Sequence, residues 1–338
     1  MLGEQPFPTL TGEGAKRLAA AEARIVVVGA GGWLGLATLE ALNGLLGDDF
    51  GKRVVCFGAS ARALALRGGL SVDQQSLERL VELPPMPTLL LHLAFLTQER
   101  AKAMSTEEYT AANESISGQV LAALDTIGAE AVFLPSSGAT YLVDKAEAES
   151  SMRIYGRLKL ADEQRFAGWA ESRGKRVVIA RVFNLSGPYI NKQSSYALAC
   201  FIADALAQRP IVIRAVRPVV RSYVAIHELM SVVFGLMTQP GSGFVRFDTA
   251  GDRDYEMAQI AEVVREVLCH GAGVDRAALS DQAPDRYVGD GAIYRAHRRR
   301  LAVTALDFSG QVRETARYMA GGLATIQGIP PAVSTIAT

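Results

Sequence analysis

The chain has 338 residues, 49% hydrophobic and 21% charged, the balance of a protein that can bury a sizeable core. Thirty-five basic residues offset thirty-five acidic ones, which argues against nucleic acid or an anionic membrane as partner. Cys56, Cys200 and Cys269 share no ligand spacing, so neither a disulfide framework nor a metal site is expected, and a reducing, cytoplasmic setting is.

The opening MLGEQPFPTL reads as irregular and lacks the basic and apolar regions of a secretory signal. No apolar run reaches the roughly 18 residues that span a bilayer. Thr11–Ala23 is expected to be a surface helix. Ile25–Val28 is then a β-branched, buried strand, followed by Gly29, Gly31, Gly32 and Gly35 and a leucine-rich helix over about 34–46. Strand, glycine turn and helix together bring backbone N–H groups up to a pyrophosphate. Further strands are expected at Arg53–Phe57, Thr88–Leu93, Ala131–Pro135 and Arg176–Ala180. Helices are expected at Ser76–Val81, Glu107–Thr126 and Ile154–Ser172. That alternation predicts an α/β fold, a Rossmann-type doubly wound parallel sheet with ligands beyond its carboxyl ends.

Beyond 188 the pattern predicts a helix at Tyr196–Gln208, a strand at Ile211–Arg214, a helix at Ile226–Met237 and a strand at Phe244–Asp248. Residues 255–320 read as mainly helical, and the last eighteen as loosely ordered. Arg295, Arg298, Arg299 and Arg300 read as a solvated helix face or a local basic patch. The organisation expected is an extension at 1–23, a dinucleotide-binding domain at 24–183 plus about 218–250, and a smaller, mainly helical substrate lobe at 184–217 plus 251–338.

Tyr155 and Lys159 stand four residues apart and share a helix face. An ammonium near a phenol favours the phenolate, which predicts a lowered Tyr155 pKa and a usable acid/base. Ser137, at the mouth of a strand, can hydrogen-bond the same substrate oxygen.

These features resemble the extended short-chain dehydrogenase/reductase family, in its NAD(P)-dependent nucleotide-sugar epimerase/dehydratase/reductase branch. The resemblance covers about 24–250. It rests on Gly29-Ala-Gly-Gly32-Trp-Leu-Gly35, His92-Leu-Ala-Phe, Asn113, Ser136-Ser137, Tyr155 with Lys159 and Glu163, Arg181-Val-Phe-Asn184-Leu-Ser-Gly187-Pro188, and Arg221-Ser-Tyr-Val-Ala-Ile-His227-Glu228-Leu229. It implies Tyr155 as general acid/base, Lys159 holding the nicotinamide ribose, and Ser137, four residues before Tyr141, binding the reacting oxygen. It implies cofactor contacts at Gly29, Gly32, Trp33, Leu34, Gly35, Leu93, Ala94, Phe95, Asn113, Tyr155, Lys159 and Phe183. Thr97, Ser137, Asn184 and Arg221 would face a nucleotide-sugar substrate, Arg221 at its diphosphate. Asn113 and Arg221 also have plain structural readings, as a hydrogen-bonding residue and a surface ion pair. His92 and His227 would make structural bonds, with His270 and His297 on the surface. A homodimer is implied as well.

Departures from the family narrow the reaction. The second strand ends Cys56-Phe57-Gly58-Ala59-Ser60-Ala61-Arg62 without the acid that would take a ribose 2′-hydroxyl. Ser60 and Arg62 suit a 2′-phosphate, so NADP(H) is preferred over NAD(H), unless Arg62 merely opens a helix. An adenine-contacting acid is uncertain, Asp73 being near. Ser137 is followed by Gly138-Ala139-Thr140, with no acid for a dehydratase. The Cys/His pair of a GDP-fucose synthase type is absent too. The expected activity is 4-keto reduction or C4 epimerisation of a nucleotide-linked sugar. The alternatives are a reductase of a small non-nucleotide carbonyl and a silent NADP-binding regulator.

Overall fold

The computed structural model describes residues 9–268, 271 and 273–326, so Cys269, His270, most of the opening segment and the tail from 327 lie outside the described residues. Helix α1 (Gly12–Ala20) precedes β1 (Arg24–Val28), α2 (Trp33–Leu46), α3 (Phe50–Arg53) and β2 (Val54–Gly58). The chain then makes a hairpin, β3 (Arg62–Ala65) and β4 (Ser71–Ser76), which the sequence reading did not contain. Gly68 and Gly69, with φ of 78° and 82°, supply its turn. Its strands are too polar to show a buried face. Arg62 therefore opens a strand, not a helix, and Leu77–Glu82 is a 3₁₀ segment.

Next come β5 (Thr88–His92), α4 (Gln98–Ala103), α5 (Thr106–Leu124), β6 (Ala129–Ser137), α6 (Ser150–Arg173) and β7 (Arg176–Val182). The rest is β8 (Leu185–Ser186), α7 (Ala197–Leu206), β9 (Ile211–Ile213), β10 (Val219–Arg221), β11 (Val224–Ala225), α8 (Ile226–Met237), β12 (Gly243–Asp248), β13 (Tyr255–Glu256), α9 (Met257–Val267), β14 (Val274–Arg276), β15 (Asp285–Tyr287), α10 (Ala292–Arg300) and α11 (Phe308–Ile326). Residues 321–326, expected to be loose, thus belong to α11. Short strands (β13, β14 and β15) interrupt the stretch from 255, where the sequence predicts mainly helix.

The main sheet has eight strands in the order β12-β7-β6-β5-β1-β2-β4-β3, parallel except for β3 on β4. Alternate residues of β1 serve opposite faces, which explains its unbroken apolar run. Ile25 and Val27 join a cluster with α2 and α8, and Val26 and Val28 one with α5 and α6. Each such side chain stabilises the fold by about 1.5–3 kcal/mol. A third cluster joins α7, α9 and α11 to β9. Beside it, β13-β10-β15 form a small sheet in which Arg221 stands opposite Tyr287. Among the described residues no helix is long and apolar enough to cross a membrane.

Candidate active site

From β1 the chain goes to β2 on one side and returns to β5 on the other, so a crevice opens over the carboxyl ends of β1 and β5. Gly29 makes the turn at φ 86°, where a Cβ would come within 2.5 Å of the Ala94 nitrogen. Leu93 and Ala94 thus form the opposite wall, with the Leu93 N–H donating to the Val28 carbonyl. Over Gly32 there is room: among the described residues a Cβ would meet only the Gly29 carbonyl oxygen, at 3.4 Å. Nor does any side chain among the described residues cap the N-terminus of α2, which follows at once. An open glycine and unpartnered helix N–H groups fit a dinucleotide pyrophosphate. Leu34 packs against the core, and the Trp33 indole N–H donates to the Pro188 carbonyl at 2.8 Å, tying the loop to the substrate side.

The second cluster sits where β6 ends. The Ser137 hydroxyl accepts from the Ala139 N–H at 3.1 Å and lies 3.4 Å from the Tyr287 hydroxyl. Tyr155 and Lys159 rise one turn apart on α6, which approaches closely because Gly156 faces the Ala139 carbonyl. The Lys159 ammonium donates to the Pro135 carbonyl at 3.0 Å and lies 5.9 Å from the centre of the Tyr155 ring. The expected lowering of the Tyr155 pKa is not found. Burial raises it above the usual phenol range, Tyr287 adds to the rise, and the Ser137 hydroxyl only opposes it. Burial also brings Lys159 down to about 8, against the pull of Asp162 and Glu163. Desolvation outweighs the pairing anticipated from sequence.

Behind these groups the scaffold is polar and hydrogen-bonded, except that the buried Nδ1 of His92 has no partner among the described residues. Glu163, buried, accepts two bonds from Arg181 at 2.8 Å and a third from the Ser136 hydroxyl. His92 contacts Ser117, which donates to Asp162, and burial brings its pKa down to about 3, so it is neutral. Asn113 uses its oxygen on the Leu96 N–H and its amide on the Tyr109 carbonyl. It shapes the loop that carries Leu93–Thr97, and both its polar ends are already engaged.

On the substrate side a cavity of about 430 Å³ is lined by Trp33, Phe183, Asn184 and Arg221 among others. The Asn184 amide donates to the Ser222 and Tyr287 carbonyls, both at 3.3 Å. Arg221 forms an ion pair with Asp285 at 3.0 Å, as its structural reading has it, and also lines the cavity. Phe183 packs 4.8 Å from Tyr287 between the cavity and Ser137. Thr97 is exposed and accepts from Lys192 at 3.2 Å. Tyr287 was missed because no spacing links it to Tyr155; the fold joins them across 132 residues of chain. At the other end of the crevice Ser60 and Arg62 are exposed beside the glycine loop. Asp73 is exposed on β4, opposite Ala63 of β3. Of the basic segment on α10, Arg298 pairs with Glu228 and Asp252, which makes it structural.

The model of the NAD dependent epimerase/dehydratase family matches residues 25–246. No curated protein sequence matches the chain. Among solved structures, UDP-N-acetylglucosamine 4-epimerase from Methanobrevibacter ruminantium, in complex with UDP-N-acetylmuramic acid, is 18% identical with a TM-score of 0.66, over 89% of this chain and 99% of that one. UDP-glucose 4-epimerase from Thermotoga maritima with UDP-glucose is 15% identical, with TM-score 0.66 over 89% and 99%. UDP-glucuronic acid 4-epimerase from Bacillus cereus, in complex with UDP-glucuronic acid and NAD, is 16% identical, with TM-score 0.63 over 88% and 99%. These likenesses show the fold.

Proposed function

The chain belongs to the NAD dependent epimerase/dehydratase family, and from that premise we propose that it moves hydride at C4 of a nucleoside-diphosphate sugar. The observation that carries this reading is the convergence of Ser137, Tyr155 and Tyr287 next to the crevice of the open glycine loop. A nicotinamide dinucleotide, when bound, supplies the hydride acceptor or donor. Residues of the glycine loop would hold its pyrophosphate, and Lys159 its nicotinamide ribose. Ser137 and Tyr287 hold the C4 oxygen. Tyr155 takes the hydroxyl proton as C4 is oxidised and returns one as the ketone is reduced. Arg221 faces the diphosphate. Residues 24–183 plus about 218–250 serve the cofactor, and 184–217 plus 251–338 the substrate.

The three structures compared above are all 4-epimerases, which supports epimerisation. The missing acid after β2 supports the second reading, net 4-keto reduction by NADPH. Incubation with UDP-hexoses and no added reductant separates them. An epimerase forms the C4 epimer without net cofactor consumption. A reductase needs a 4-keto sugar and oxidises NADPH one for one. Neither product across a panel of nucleoside-diphosphate sugars, with a small carbonyl or nothing turned over instead, sinks the proposal. Family likeness also supports a cytoplasmic homodimer, which light scattering on the purified chain tests as to assembly.

A further inference from the structure

The space where an acidic side chain at the end of β2 would stand is occupied from another strand. A Cβ on Gly58 would lie 2.4 Å from the side-chain carboxamide of Gln74. Gln74 comes from β4 and is buried. Its oxygen accepts the Gly31 N–H at 3.1 Å, and its amide donates to the Ser60 carbonyl at 2.8 Å. The amide thereby ties the glycine loop to the loop after β2. Arg62 is paired across from Gln74 in the hairpin. Its guanidinium reaches back over the glycine loop, where a Cβ on Gly31 would fall 2.1 Å from Nη2. Arg62 is exposed, and the nearby Asp73 is exposed on β4 with its side chain away from the buried Gln74.

We propose that Gly31, Gln74 and Arg62 form the adenosine-ribose site and that Gln74 decides which cofactor enters. A carboxylate in that place accepts a ribose 2′-hydroxyl and repels a 2′-phosphate. A neutral amide already committed to two backbone partners does neither. It leaves the guanidinium free to pair phosphate oxygens in bidentate fashion. The site therefore takes a 2′-phosphorylated adenosine, the end that distinguishes NADP(H). This inference rests on the dinucleotide-binding reading and not on the sugar reaction.

Titration calorimetry on the full chain with 2′,5′-ADP, 5′-AMP, NADPH and NADH tests it without turnover. The phosphorylated member of each pair should bind at least about tenfold tighter, roughly the contribution of one charge-assisted pair. Arg62→Ala, on an exposed side chain, should weaken NADPH and 2′,5′-ADP by about tenfold more than NADH and 5′-AMP and so erase the difference. Gln74→Glu should invert the preference. Equal or tighter binding of NADH by the wild type, or equal weakening of both cofactors in Arg62→Ala, overturns the proposal. A protein that shows the preference but turns over no nucleotide sugar keeps this site and loses the sugar reading; the opposite pair of results loses this site alone.

Discussion

The Lys159 ammonium lies 3.7 Å from the centre of the Phe95 ring. The ring shields it from water, and Phe95 in turn meets Tyr155 edge-on at 5.5 Å. A cation over an aromatic face gains about 0.5–2 kcal/mol, but the same burial brings the lysine down to about 8. Lys159 is charged below that pH and neutral above it. If its charge positions the cofactor ribose, kcat/KM declines as pH rises through about 8. Phe95→Ala rehydrates the ammonium and should move the decline to higher pH. A profile flat between about pH 7 and about pH 10, beyond the ordinary lysine value's approach, contradicts this.

Tyr155 and Tyr287 both present hydroxyls toward Ser137, and burial raises the pKa of each. In the chain without cofactor both are neutral donors; Tyr155 can accept a proton only as a phenolate, the form that the Lys159 ammonium and a cationic nicotinamide would favour. Only Tyr155 stands one turn from Lys159, which is why the proposal gives it, and not Tyr287, the proton transfer. Tyr155→Phe should lower kcat by about 10²–10⁴ with the fold intact, and Tyr287→Phe by about tenfold. Steady-state kinetics should also show Tyr287→Phe and Ser137→Ala to be non-additive, since the two share one contact. Equal losses for the two tyrosines would remove the distinction between them.

The order of β1, β2, β5, β6 and β7 could be read from sequence because each of these parallel strands is largely apolar on both faces and the glycine break after β1 is local. Asn113 and Tyr287 show where that reading stops. Asn113 belongs to a family pattern, but its partners are backbone groups of Leu96 and Tyr109 that no pattern reveals. Tyr287 reaches Ser137 only because β15 pairs with β10 in the small sheet. The hairpin of β3 and β4 escaped for a third reason. It is an edge, polar on most of its length, so hydrophobic periodicity carries no signal there. The pKa of Tyr155 depends on burial, which sequence spacing does not measure.

Arg221 is held by Asp285 at 3.0 Å and by the Asp285 carbonyl, also at 3.0 Å, while facing the cavity. A guanidinium fixed in this way meets a diphosphate without having to be ordered first. Arg221→Ala should raise KM for a nucleotide sugar by about tenfold or more and change kcat little. Asp285→Asn should weaken binding less, by loosening the arginine and not removing it. Unchanged KM in Arg221→Ala, together with weak binding of every nucleoside diphosphate, would favour the small-carbonyl reading.

Glu163 is buried, and its oxygens receive Arg181 and Ser136 from the ends of β7 and β6. Removing one partner of a buried pair leaves the other charge uncompensated, at a cost of about 3–5 kcal/mol. Glu163→Ala should therefore lower the urea midpoint without changing the slope. Ser137 continues the strand from Ser136, so activity should fall below what the folded fraction alone explains. A variant of wild-type stability would show that the pair is not what secures the strand ends.

His227 opens α8 and its Nδ1 lies 3.4 Å from the Glu314 carboxylate on α11. Burial lowers the histidine pKa, but Glu314, with help from Glu228, outweighs it, and the net direction is upward. A histidine raised in the folded state contributes stability that is fully present below its unfolded pKa of about 6.5. That contribution is lost as pH rises through the folded value. The protein should thus be held more firmly at its α8–α11 contact in mildly acidic solution than in alkaline solution. His227→Gln keeps the size and removes the titration, so the wild-type minus variant difference in unfolding free energy should shrink as pH rises past the histidine range. Comparing the two proteins cancels His92, whose lowered pKa acts in the opposite direction. A difference that is constant across this range, or that grows with pH, would mean that Glu314 does not hold the proton on His227.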